Sequence, residues 1–329
     1  MADPVDVIRA LREGIDGSSS LNPPTAARFG EWLVEQTTDA VYMSRDWVPR
    51  NDSSYRMGNE EVHPGLRILT DQQRRELMFS LRPARALRRP RVLRMEALIV
   101  GLVDGNVPWM QDALWTFGRL NLASSLNSAG STDYSGNIFD YLEEIAVGDD
   151  ALADDRLPSH APVARNGYRF AVVATNIVRA LRYGHDRDAA REDAVKFAAL
   201  KSAKKFEALI VKYLVAVLDA NADAMQQHFS TIAATWTSTP WARIWNDPLH
   251  KTASLKLHGL AVLGERVVPG ISEVAAGTKA WSSEFVELMA VPRITGRAPR
   301  SVVELLGATG SLAVILRPRP LRDYAALSA

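Results

Sequence analysis

Residues 205–232 read KFEALIVKYLVAVLDANADAMQQHFSTI, and their pattern decides the fold class. The apolar segment from Phe206 to Leu218 carries only Glu207 and Lys212 as charged residues. It is too short to span a bilayer, which takes about 20 residues, and it predicts a buried helix. Asp219-Ala220-Asn221 then breaks the helix, and Asn221 is placed to cap the next one by accepting a backbone N–H bond. The result is a helical hairpin.

A related pattern stands earlier in the chain. Residues 94–117 read RMEALIVGLVDGNVPWMQDALWTF. Both stretches hold Glu-Ala-Leu-Ile-Val (96–100 and 207–211), then Asp-x-Asn (104–106 and 219–221), then Met-Gln (110–111 and 225–226). The extra length between Glu and Asp in the second copy is about one helical turn, so both helices would present the same face. We therefore expect an all-α protein of packed helical hairpins with an internal repeat, 94–117 and 205–232.

The flanking sequence is read the same way. Phe170, Val173, Ala174, Ile177, Val178 and Leu181 recur with helical spacing, and Gly184 is placed to end that helix. Residues 187–219 predict one long helix leading into the second hairpin. Leu257, Leu260 and Ala261 predict a helix closed by Gly264, and Trp281, Phe285, Leu288 and Met289 predict another. The Ser-, Asn- and Gly-rich residues 121–137 and the polar residues 44–68 predict loops. Residues 1–89 read as N-terminal helices and a long polar loop, and 90–329 as the helical body, the two forming either separate parts or a single domain. No strand pairing or βαβ alternation is visible.

The composition excludes several classes. The chain has 329 residues, 47% hydrophobic and 23% charged, with a formal net charge of +1. Such a balance gives no global field toward nucleic acid or a membrane surface. With no cysteine there are no disulfides, thiolate metal sites or cysteine nucleophiles. The start, MADPVDVIRALREG, has no apolar core of the signal-peptide kind. A cytoplasmic location follows as the expectation.

No P-loop, Rossmann fingerprint, His-Glu-x-x-His or Gly-x-Ser-x-Gly motif occurs. Gly307–Ser311 has a glycine pattern but no lysine and reads as a loop. His250 and His258 lie eight apart, not at the spacing of a helical metal pair. No metal or cofactor is expected. The arginines between 82 and 94 suit either phosphates or acids such as Glu96, and nucleic-acid binding is disfavoured because no aromatics interleave them.

Two clusters remain as candidate contact sites. One is acidic: Glu143, Glu144, Asp149, Asp150, Asp154 and Asp155. Gly148 before the aspartates and Pro158 after them predict a loop. The other is the turn 235–245, TWTSTPWARIW, with Trp236, Trp241 and Trp245. Tryptophans in a short turn are either a core plug or binding anchors of large area and few rotors.

Two resemblances follow from these residues. The aspartates at 149–155, spaced DDxxxDD, resemble the metal-diphosphate motif of class I terpene synthases, which implies magnesium-dependent chemistry on a prenyl diphosphate. The family's usual spacing is DDxxD, and its second motif is missing here. The apolar helices and Asp-x-Asn corner of 195–267, with LHGLAVLGERV at 257–267, resemble the helical immunity proteins of bacterial polymorphic toxin systems. That resemblance implies a non-catalytic inhibitor whose partner is a cognate protein toxin; beside it and the diphosphate enzyme stands a third reading, a helical scaffold or regulator. The acidic cluster would then meet a basic toxin, and the tryptophans would slow dissociation.

Overall fold

The computed structural model describes residues 98, 107–126, 134–159, 163–165, 167–242 and 253–295. Among these there are nine α-helices and no strand. They are α1 (Val107–Leu126), α2 (Tyr134–Ala146), α3 (Asp150–Arg156), α4 (Arg169–Tyr183) and α5 (Arg187–Ala198). After them come α6 (Lys205–Leu218), α7 (Ala222–Thr235), α8 (Leu255–Glu265) and α9 (Ser283–Thr295). No described helix is long and apolar enough to cross a membrane.

Backbone contacts divide the chain into two units, Met1–Thr132 with Leu288–Ala329, and Asp133–Glu287. The first unit contains α1, where Met110, Leu114 and Phe117 are fully buried. The Gln111 side-chain amide donates to the Leu288 carbonyl at 2.9 Å. The expected boundary near residue 89, the loop at 44–68, the arginine segment and Trp245 all lie outside the described residues.

The second unit is built around α4. Phe170, Val173, Ala174, Ile177 and Val178 are buried as the spacing predicts, and Ala171, Val172 and Thr175 are buried as well. A helix covered nearly all round is a core helix rather than a one-sided surface helix. It packs against α2, α5 and α6, while α8 lies on α2, and α6 pairs with α5 and α7. Gly184 ends α4 in the left-handed region (φ 73), where a side chain would be strained, and its N–H bonds to the Ala180 carbonyl at 2.9 Å.

The second hairpin forms as expected. Asn221 Oδ1 accepts from the Ala224 N–H at 3.1 Å and starts α7. The tyrosine hydroxyl of Tyr213 donates to the Leu260 carbonyl at 2.9 Å and ties α6 to α8 through the core. In the first copy Leu98 is helical and buried, and the rest of Glu96–Val100 lies outside the described residues, so the internal repeat is not confirmed.

Three sequence expectations are corrected. Residues 187–219 are two helices, with a break at 199–204. The break folds α5 back against α6, so that Ala190, Ala194 and Phe197 share a core with Ile210, Leu214 and Val217, which one rigid rod would prevent. Residues 121–126 continue α1 and 134–137 begin α2, so only part of 121–137 can be loop. Helix α8 runs one residue past Gly264, because that glycine serves contact: a Cβ there would lie 2.3 Å from the Tyr213 hydroxyl.

Both ring nitrogens of His258 face backbone groups of the same chain. The imidazole is buried on α8 and stacks on Trp281 with ring centroids 4.2 Å apart. Its Nδ1 lies 2.7 Å from the Ser254 carbonyl, and its Nε2 accepts the Ser282 N–H at 3.3 Å. Burial pushes its pKa down to about 4, against the pull of the Ser254 and Ser282 backbone. The unfolded chain therefore binds a proton here below pH 6.5 that the folded chain refuses until about pH 4. Stability is then full above pH 6.5 and lost as pH falls toward 4, by on the order of 3 kcal/mol. We expect urea midpoints to fall through that window, and His258→Gln to flatten the slope. An unchanged slope would refute the assignment.

Candidate functional site

The acidic cluster divides into an interior and an exterior part. Residues 150–156 form α3 rather than a loop, because Asp149 caps it, accepting the Leu152 N–H at 3.2 Å. Asp154 receives a two-pronged bond from Arg182, both contacts at 2.8 Å, and a further bond from the Tyr183 hydroxyl at 3.2 Å. Asp150 is paired with Arg266, and Asp155 is half-buried. Asp154 and Asp150 thus fasten α3 to α4 and to the end of α8.

Glu143 and Glu144 face inward on α2 and are buried, which removes them as contacts for a partner. Helical spacing puts Asp140, Glu143 and Glu144 on one face of α2. Arg156 of α3 meets that face: its Nε and Nη2 lie 3.2 and 2.8 Å from Glu144 Oε1, and its Nη1 lies 3.6 Å from Asp140. Lys256 of α8 lies 3.7 Å from Glu143 and 5.5 Å from the centre of the Phe139 ring. Burial works against the charge on Arg156, but Glu144 and Asp140 outweigh it and hold the guanidinium above its ordinary pKa. This is a charged layer sealed inside the unit, where unpaired ions would be very costly.

Trp236 and Trp241 are also interior, with exposures of 0% and 3%. Trp241 meets Phe139, Phe170, Phe206 and Trp236 edge-on at 4.7, 5.2, 6.0 and 5.8 Å. These edge-to-face contacts join α2, α4 and α6 beneath the turn that follows α7. The two tryptophans are the core plug and cannot be surface anchors, because rings from three helices enclose them.

The accessible feature of this unit lies elsewhere. Helix α6 is recessed between α5 and α7 and leaves an open groove of ≈ 450 Å³. Val215 and Ala216 of α6, Ala194 and Ala198 of α5 and Ala224 of α7 make it shallow and apolar. Lys212 and His228 stand at one end, and Asp219 and Asn221 at the other. Burial, then the charge of Lys212, hold His228 below its ordinary pKa, so the imidazole is kept neutral and Lys212 is the charged group at this end. The sequence held a signal for this site: alanines at 194, 198, 216 and 224 on three neighbouring helices, and a lone lysine inside the most apolar helix. Only the packing of three helices brings them together.

Among the described residues, no group of three His, Asp or Glu side chains is placed to hold a metal ion. No family model matches the chain, and neither the curated proteins nor the solved structures include one similar to it.

Proposed function

We propose that this chain is a non-catalytic binding protein that neutralises a cognate bacterial toxin in the cytoplasm by direct contact. The observation that supports it is the open groove on α5, α6 and α7. It is an apolar concavity between packed helices, a form that can receive an amphipathic helix of a partner. It also falls almost wholly within residues 195–267, the segment that resembles helical immunity proteins. The diphosphate-enzyme alternative gains no such support. Its aspartates serve as a helix cap at Asp149 and as arginine partners at Asp150 and Asp154.

The test is co-expression with candidate toxins, beginning with any toxic protein encoded beside this chain. The chain should restore growth and run with the toxin as a stable complex on gel filtration. Growth arrest that persists in the presence of folded chain would overturn the proposal.

A further inference from the structure

The two ends of the groove differ in charge, and that difference identifies the kind of partner. At the Lys212 end, Lys205 lies two turns before Lys212 on the same face of α6, and Lys201 lies in the turn entering α6. Among the described residues, Lys201, Lys205 and Lys212 enter no ion pair, whereas Lys204 is held by Glu207 and the Tyr168 hydroxyl. Exposed Leu200 sits within this basic end, and exposed Val195 on the α5 wall.

The other end has the opposite sign. Arg187 bonds the Leu218 carbonyl, which sets the first turn of α5 over the corner of the hairpin. Arg191 is neutralised by Asp219 at 2.9 Å. Exposed Asp186, Asp188 and Asp223 surround that corner.

Resting on the toxin-binding reading, the geometry points to an amphipathic helix of the partner as the occupant of this groove, with its acidic residues at the Lys212 end. Alanines on all three helices let a helix approach closely, as in other helix-in-groove complexes. Carboxylates beside Lys212 and Lys205 would make charge-assisted bonds, while a basic segment would be repelled there. The partner surface is thus acidic at this point, the opposite of the basic toxin surface that the aspartate run by itself suggests. Asp154 and Asp150 of α3 are engaged by Arg182 and Arg266 of the same chain, whereas Lys212 of the groove enters no ion pair among the described residues.

The experiment uses the full chain and a displayed library of short amphipathic helices with randomised charged positions. Retained clones should carry Glu or Asp clustered at one end. Against Lys212→Glu or the groove-filling Ala224→Trp, they should bind about tenfold more weakly or worse, roughly the loss of one good charged contact. Val195→Arg, at an exposed wall position, should weaken them as well and does not threaten folding. Three results overturn the proposal: no clones retained, clones without acidic clustering, or clones indifferent to all three variants. A dimer on light scattering that Val195→Arg dissociates would also overturn it, assigning the groove to a second copy of the chain. Failure of this proposal and failure of the toxin reading are distinguishable. If Lys212→Glu and Val195→Arg chains still protect cells fully, toxin binding stands and the groove is not its site. If no chain protects cells while acidic helices still bind, the groove stands and the toxin reading falls.

Discussion

Arg156→Ala should cost about 3–5 kcal/mol, a large part of the stability of an ordinary domain. The guanidinium is fully buried and makes two contacts with Glu144 and a third with Asp140. Its removal takes the cation from two buried carboxylates without letting water reach them, and the residual charge is what destabilises. The double variant Arg156→Met with Glu144→Gln removes both charges while keeping volume. It should recover a large part of the loss, because replacing a buried ion pair by neutral groups of similar size is often tolerated. Urea denaturation followed by tryptophan fluorescence reads both. A single variant costing under about 1 kcal/mol would show that the layer is solvated rather than sealed.

Gly259→Ala should destabilise even though alanine is the better helix former by about 1 kcal/mol. Gly259 lies in the middle of α8, where α8 crosses α2. A Cβ there would stand 2.0 Å from the Leu142 carbonyl oxygen and 2.6 Å from its carbon. Both are backbone atoms, so no side-chain rotation relieves the clash and the two helices must separate. Overpacking of this kind costs about 1–3 kcal/mol or more, and it also loosens Lys256, which α8 holds 3.7 Å from Glu143. We expect a net loss of about 2 kcal/mol and a weakened near-ultraviolet circular dichroism signal. A Gly259→Ala chain as stable as the parent would mean that α2 and α8 do not cross this closely.

Periodicity and local chemistry determined much of this protein by themselves. The all-helical class, the α6–α7 hairpin, its Asn221 cap and the Gly184 stop follow from apolar spacing and from side chains bonding their own backbone. These are interactions between residues a few positions apart, and such distances are set by the helix itself. Tertiary structure alone decided where α5 and α6 part, because that break depends on which apolar faces can reach one core. It also decided the fate of the candidate contact residues. Trp236 and Trp241 became a plug, and Glu143 and Glu144 turned inward, because neighbours distant in sequence supplied the rings and the cations that bury them. In the same way, alanines on three helices became a groove only when those helices lay side by side. A residue's type and spacing say what it can bond, but its exposure depends on what the rest of the chain brings against it.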